Sequence, residues 1–128
     1  MTMAPHSLLS NVPPRMQVIL EAVQELREAK DVLRRGNIIK GVQRYENAKR
    51  ALYQAMGMLT EGNIIVTNAL SDHPLREQFD AFLQAGSDFG GAYDAYKISG
   101  TDSRAALGLV KAEKKLISEL DHLERCSN

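Results

Sequence analysis

The sequence predicts an all-α protein, an antiparallel bundle of about four amphipathic helices, or five if the second helix breaks. Apolar residues recur at three- and four-residue steps through most of the 128-residue chain. The apolar content comes mainly from good helix formers, and β-branched residues stand mostly as single residues. Short segments containing Gly, Pro or Asn separate the periodic stretches, and helices joined in this way fold as bundles or stacked hairpins.

One folded domain is expected over residues 14–125. The length is that of a single domain and is sufficient to bury a core without disulfide bonds. Residues 1–13 have no long apolar period and include Pro5 and Pro13, which predicts a flexible lead. Residues 126–128 are expected to fray, as chain ends commonly do.

The first helix is predicted from Pro14 to Arg35. Proline suits the first turn, where its missing N–H removes no hydrogen bond, and Gly36-Asn37 is a good stop. Lys30 is the one polar residue in the predicted apolar stripe, which consists of Met16, Ile19, Leu20, Val23, Leu26, Lys30 and Leu33.

The second helix is predicted to begin near Asn37 or Ile38. We favour a break at residues 61–63, followed by a short third helix to Leu70, because Gly62 and Asn63 are weak helix formers. An unbroken helix to Leu70 is the alternative. The predicted core stripe is Ile38, Val42, Tyr45, Leu52, Met56 and Leu59, with Ala48 beside it.

Two more helices are predicted, each after a polar boundary. Residues 71–74 end in Pro74 and precede a helix that contains Gly86, Gly90 and Gly91, which predict a close helix crossing, a kink or a break. Residues 99–102 cap the last helix, about Ser103 to Arg125. Its predicted stripe is Leu107, Val110, Leu116, Ile117, Leu120 and Leu123, and Glu113 falls four residues before Ile117.

Composition argues against a general attraction to nucleic acid or to anionic membranes, because the net charge is zero. Charge is nevertheless uneven: residues 34–50 are mainly basic and residues 72–94 mainly acidic, which predicts a dipole if they form two faces. The single cysteine, Cys126, excludes an intramolecular disulfide. Together with the lack of a secretory or membrane-spanning pattern, it predicts a cytoplasmic protein.

No catalytic, cofactor-binding or metal-binding residue is predicted. His6, His73 and His122 lie far apart in the sequence and outside any metal-ligand spacing, so each is interpreted as a surface or capping residue. The chain lacks a nucleophile elbow and a phosphate-binding glycine loop with its lysine.

A basic cluster is the strongest functional candidate in the sequence. Lys40 and Arg44 share a helix face, and Arg34 and Arg35 lie one turn earlier. Such a cluster contacts phosphates or an acidic protein partner, and an ordinary solvated helix face is the alternative interpretation. No aromatic residue lies on that face, which argues against stacking on single-stranded nucleic acid.

Residues 36–48 resemble the inter-helix turn and second helix of tetratricopeptide or MIT-type hairpins, through Gly36, Gly41, Tyr45 and Ala48. Those hairpins are protein-binding modules, so the resemblance implies a protein partner. The chain departs from the pattern in two respects: Glu28 occupies a tetratricopeptide Leu position, and no 34-residue period follows. No family is assigned.

The leading hypothesis is a non-enzymatic protein–protein interaction module: an adaptor, small chaperone, regulator or assembly subunit. The partner would be another protein or a second copy, since open bundles often complete their cores across a two-fold axis. A nucleic-acid-binding regulator that uses the basic helix at residues 34–50 is the alternative. A third hypothesis is an enzyme whose site forms only in an oligomer.

Overall fold

The computed structural model describes residues 12–69, 72–99 and 101–126, and the side chains of these residues other than 58–69. Within them lie four helices: α1 (Pro14–Arg34), α2 (Ile38–Ala69), α3 (Arg76–Ile98) and α4 (Ser103–Cys126). This part of the chain contains no strand, and the predicted all-α bundle is confirmed. Most of the predicted lead, residues 1–11, and the predicted tail residues 127–128 lie outside the described residues.

Helix α1 begins and ends close to where the sequence predicts. Pro14 occupies its first turn, and Gly36 follows its end with a φ of 92°, a left-handed conformation that glycine adopts without steric cost. The Gly36 N–H donates to the carbonyl oxygen of Leu33 at 3.0 Å. This turn reverses the chain, so α1 and α2 form a tight hairpin.

Helix α2 is continuous from Ile38 to Ala69, and the break favoured at residues 61–63 is wrong. The residues predicted as a short separate helix, up to Ala69, belong to α2, and Leu70 lies outside the described residues. Glycine costs about 1 kcal/mol in a helix interior and asparagine less. Once a helix is formed, each added residue gains a backbone hydrogen bond, and that is sufficient to carry α2 through two weak formers.

Helix α3 is continuous through its three glycines, so the predicted break does not occur. A Cβ at Gly86 would lie 2.7 Å from Cε and 2.8 Å from Sδ of Met56, whereas Gly90 and Gly91 face open space. The predicted close helix crossing therefore explains Gly86 alone. The predicted polar boundary does precede α3, but the N-cap is Leu75, which makes no side-chain cap hydrogen bond, and Pro74 lies before the helix. Nδ1 of His73 accepts a hydrogen bond from the Leu75 N–H at 3.0 Å.

Two predicted stripes are wrong at their first turns. In α4, Leu107 and Val110 are exposed, while Leu109 and Glu113 are buried beside Leu116, Leu120 and Leu123. In α2, Ile38 and Val42 are exposed, although they continue the stripe of Leu52 and Met56. Periodicity identifies the side of a helix that can pack, but it does not show how far along that helix a neighbouring helix extends, so residues beyond the neighbour's end stay exposed.

The four helices form two antiparallel hairpins that pack against each other. In the first hairpin, Arg44 of α2 reaches back to Glu25 and Glu28 of α1. Between hairpins, Arg27 of α1 bonds Asp121 and Glu124 of α4, and the rings of Tyr53 in α2 and Tyr93 in α3 stack at 4.8 Å. The core lies between the hairpins, and its largest fully buried side chains include Phe79, Phe82, Phe89, Met16, Leu52 and Leu116.

Candidate functional site

The predicted basic cluster lies where α1 ends and α2 begins, but half of it is neutralised by carboxylates. Arg44 Nε is 2.6 Å from Glu25 Oε2, and Arg44 Nη2 is 2.8 Å from Glu28 Oε2. The hydrogen bonds from Arg44 lower the pKa of Glu25 and raise that of the guanidinium. Arg34 forms an exposed pair with Asp31 at 3.1 Å.

Arg35 and Lys40 are the two members of the cluster that project into solvent without an ion-pair partner among the described residues. The sequence grouped all four cations on one surface. In the structure Arg34 and Arg44 are ion-paired and the other two are not, because α1 supplies one carboxylate to Arg34 and two to Arg44. A ligand attracted to this region therefore meets Arg35 and Lys40 as its uncompensated charges.

Three aliphatic side chains lie beside these cations in the first turns of α2. Ile38 is 60% exposed, Ile39 is 88% exposed and Val42 is 46% exposed. Residues 38 and 42, and residues 39 and 42, are one helical turn apart, so the three side chains form one continuous patch. We call Arg35, Ile38, Ile39, Lys40 and Val42 together the α2 tip.

The tip is uncovered because α3 ends short of it. The Tyr53 ring stacks on Tyr93, and Lys49 Nζ lies 5.7 Å from the ring centroid of Tyr96, only two residues before α3 ends. Lys49 lies roughly 16 Å along α2 from Ile38, at 1.5 Å per residue. The opening turns of α2 therefore project past the end of α3, which leaves Ile38 and Val42 partly exposed among the described residues.

A shallow groove adjoins the tip on the α1 side of α2. Its volume is about 500 Å³, and its floor includes the small residues Ala48 and Ala51. Its polar lining consists of Glu25, Lys40, Gln43, Arg44 and Asn47. Lys40 belongs to both the tip and the groove, but the groove lies on the side of α2 opposite Ile38 and Val42, so the apolar patch and the groove are separate surfaces.

A second cluster of polar residues lies inside the molecule, where all four helices meet. Glu113 of α4 is fully buried, and its Oε1 accepts hydrogen bonds from the Tyr45 hydroxyl and from Lys30 Nζ, the latter at 3.3 Å. Buried Lys49 lies 4.2 Å from the Tyr45 ring centroid and also contacts the ring of Tyr96. We call these five residues the Glu113 cluster.

The residues of the Glu113 cluster hydrogen-bond or contact one another. Burial and the hydrogen bond to Glu113 raise the pKa of Tyr45, so its phenol stays protonated and donating. The other carboxylate oxygen of Glu113, Oε2, is buried and has no hydrogen-bond partner among the described residues. This arrangement can join two hairpins, with a carboxylate from one bonded by a phenol and an ammonium from the other.

The Glu113 cluster was missed as a site, although the sequence carried two signs of it. Lys30 interrupts the apolar stripe of α1, and Glu113 stands at helical spacing from core residues of α4. A lysine and a glutamate in two apolar stripes are a candidate buried pair. The third partner, Tyr45, could not be recognised because a tyrosine in a stripe is ordinary core composition.

The histidines do not converge in the described structure. His73 accepts a hydrogen bond from the Leu75 N–H just before α3, and His122 Nε2 lies 3.5 Å from Cys126 Sγ one turn later on α4. His6 lies outside the described residues. The described part of the chain contains no group of three His, Cys, Asp or Glu side chains placed to hold a metal ion.

Comparison with protein-family models, with curated proteins and with solved structures gives no match for this chain. The likeness of residues 36–48 to tetratricopeptide and MIT-type hairpins remains a local one. Among the helices in residues 12–69, 72–99 and 101–126, none is long and apolar enough to cross a lipid bilayer.

Proposed function

We propose that this protein is a non-enzymatic protein–protein interaction module, an adaptor, small chaperone, regulator or assembly subunit, and that it binds its partner through the α2 tip. The observation that carries the proposal is the exposure of Ile38, Ile39 and Val42 on a single helix end. Contiguous exposed aliphatic surface rimmed by polar groups is typical of interaction sites.

Burial of these side chains on binding would be energetically substantial. Covering one aliphatic side chain is worth about 1.5–3 kcal/mol. In the described structure Ile39 is almost fully exposed and contributes little to folding, whereas Ile38 and Val42 are partly covered and contribute less than core residues. A partner that covers all three would gain the free energy of burying their exposed surface, less the entropic cost of forming the complex.

The distribution of ionisable groups also supports a binding role over a catalytic one. The buried cluster around Glu113 uses its phenol and one ammonium on the carboxylate, and Lys49 bonds Glu46 at 2.8 Å. Pairing within a buried cluster is typical of structural polar networks, although Glu113 Oε2 has no hydrogen-bond partner among the described residues. An enzyme whose site forms only in an oligomer stays a separate hypothesis.

Nucleic-acid binding remains the alternative, and one observation weighs against it. Of the four predicted phosphate contacts, Arg34 and Arg44 are bonded to carboxylates, which would have to be displaced or repelled by a phosphate backbone. Arg35 and Lys40 alone would give weak attraction that falls steeply with salt. The alternative predicts a salt-sensitive gel shift of duplex DNA or RNA at low ionic strength.

Site-specific photocrosslinking tests the proposed function. A photoreactive amino acid replaces Ile39 in one variant and exposed Gln54, farther along the same helix, in a matched control. In the native cells, we expect a discrete crosslinked protein from position 39 and none from position 54. A ladder of crosslinks common to both positions, or no protein crosslink at 39, would contradict the proposal.

Compartment and assembly complete the proposal. We place the protein in the cytoplasm, because a half-buried lone thiol, Cys126, suits a reducing compartment. A homo-oligomer is one form the interaction could take, and a crosslinked band at twice the mass of 14.2 kDa would identify it.

A further inference from the structure

An imidazole and a thiol lie together at the carboxyl end of α4. The Sγ atom of Cys126 is 3.5 Å from Nε2 of His122, and α4 ends at Cys126. His122 is exposed and Cys126 is partly exposed, so solvent ions can reach the pair. We propose that these two side chains form a binding site for Zn²⁺, a function separate from the proposed partner binding at the α2 tip.

The spacing of the two residues places their side chains on one face of the helix. Residues four apart are neighbours on a helix surface, and two zinc ligands at this spacing occur on one helix of many metalloproteases. The pair was not predicted, because the histidines were compared only with one another and Cys126 was expected to fray. In the structure Cys126 is helical, and its thiol contacts His122.

The distance between the sulfur and the nitrogen is the one that a zinc ion requires. With Zn–S at about 2.3 Å, Zn–N at about 2.0–2.1 Å and a tetrahedral angle between the two bonds, these atoms are about 3.5 Å apart. The ion can therefore bind both with the side chains near their present positions, and the thiol proton passes to solvent as the thiolate bonds the metal. Water completes the coordination, since the described residues offer no group of three His, Cys, Asp or Glu ligands.

The surroundings of the pair favour zinc over a harder cation. Mg²⁺ and Ca²⁺ take oxygen ligands, and the carboxylates on either side of His122 in the sequence, Asp121 and Glu124, are both bonded to Arg27. Thiolate and imidazole are ligands that zinc prefers. The carboxyl end of a helix also favours a bound cation, because the helix dipole is negative there.

The test uses Co²⁺ as a spectroscopic substitute for Zn²⁺ in the reduced full chain. Cobalt bound to a thiolate gives a charge-transfer absorption band, and zinc, which has a filled d shell and no such band, displaces it in competition. Titrations compare the wild type with Cys126→Ser and His122→Gln. The matched control is His73→Gln, which removes the other histidine of the described residues and leaves the pair intact. Circular dichroism verifies that every variant is folded.

We expect one cobalt ion per chain, and no charge-transfer band in Cys126→Ser. His122→Gln should raise the dissociation constant for zinc at least about tenfold, because one of the two protein ligands is lost. His73→Gln should change this constant by less than about twofold. Mg²⁺ should leave the cobalt band unchanged.

Three results would overturn the inference. Absence of the band at a large molar excess of cobalt would leave a thiol–imidazole hydrogen bond only. A zinc dissociation constant that His122→Gln does not change would place the metal on the thiol alone, and an equal effect of His73→Gln would assign the second ligand elsewhere. None of these results affects the crosslinking from position 39, so the two proposals are tested separately.

Discussion

At the scale of single residues, the fold depends on a charged side chain placed where apolar packing is expected. Glu113 is fully buried, and it joins α4 to α1 through Lys30 and to α2 through Tyr45. A carboxylate is tolerated there because a phenol and an ammonium offset part of its desolvation. Loss of the carboxylate would leave the Tyr45 hydroxyl and the partly buried Lys30 ammonium without this hydrogen-bond acceptor.

Removing that carboxylate should be far more costly than breaking an exposed pair on the same helix. We expect Glu113→Ala to lower the free energy of unfolding by about 3 kcal/mol, since it leaves Tyr45 and Lys30 without a partner and creates a cavity. Lys115→Ala removes an exposed lysine from its pair with the partly buried Glu119 and should cost about 1 kcal/mol or less. Urea denaturation measures both, and similar losses would show that Glu113 is solvated.

Tyr45 should make the stability depend on pH in the alkaline range. Its pKa is raised in the folded state by burial and by Glu113, above the value of about 10 for an unfolded tyrosine. The folded state then holds this proton more tightly, so its stabilising effect is complete below pH 10 and is lost as the pH rises further. Denaturation at pH 8 to 11 should show a shallower decline for Tyr45→Phe. An identical decline would assign the dependence to other groups, such as Tyr53.

At the scale of elements, local sequence propensity predicted a helix end correctly where the signal is strong, as at Gly36. It predicted helix ends wrongly where the only signal is a glycine or asparagine inside an otherwise helical pattern. Gly36, with its positive φ, ends the first hairpin turn as predicted. Gly62-Asn63 in α2 and the α3 glycines did not end their helices, because the backbone hydrogen bonds gained as a formed helix extends offset a cost of about 1 kcal/mol per glycine.

Two glycines of α3 should therefore respond to alanine to different extents. Gly91 faces open space, so Gly91→Ala should stabilise the protein by about 0.5–1 kcal/mol through helix propensity. Gly86→Ala should stabilise the protein less, because the end of the buried Met56 side chain must shift to admit the new Cβ. Thermal unfolding of the two variants provides the comparison, and equal stabilisation would show that the helices do not cross closely at Gly86.

The candidate site was predictable in part. What the sequence could not show was which residues of neighbouring helices lie beside one another. Arg35 and Lys40 were identified correctly as exposed cations. The partner of Arg44 was implicit in the hairpin, because Glu28 and Arg44 are each eight residues from Gly36 and so face each other in an antiparallel pair. The exposure of Ile38 and Val42 was not predictable, since it depends on where α3 ends beside α2.

At the scale of the whole molecule, most of the basic cluster is used in ion pairs within the chain, and only a small region is left to attract a ligand. The basic segment 34–50 and the acidic segment 72–94 were expected to form a dipole if they lay on two faces. Arg34, Arg44 and Lys49 are each bonded to carboxylates, which weakens that dipole. What remains is a small positive region next to uncovered aliphatic surface, and this combination is the basis for the proposed binding role.

The central claim is that the apolar residues at the start of α2 are free for a partner and contribute little to folding. The most direct test is the free energy of unfolding, by urea denaturation, of the combined variant Ile38→Ser, Ile39→Ser and Val42→Ser. The claim predicts a loss of under about 1 kcal/mol per substituted residue, against a loss of about 3 kcal/mol for Leu52→Ala in the buried part of the same stripe. A loss per residue in the triple variant as large as that of Leu52→Ala would show that these side chains are covered within the free protein and would contradict the account.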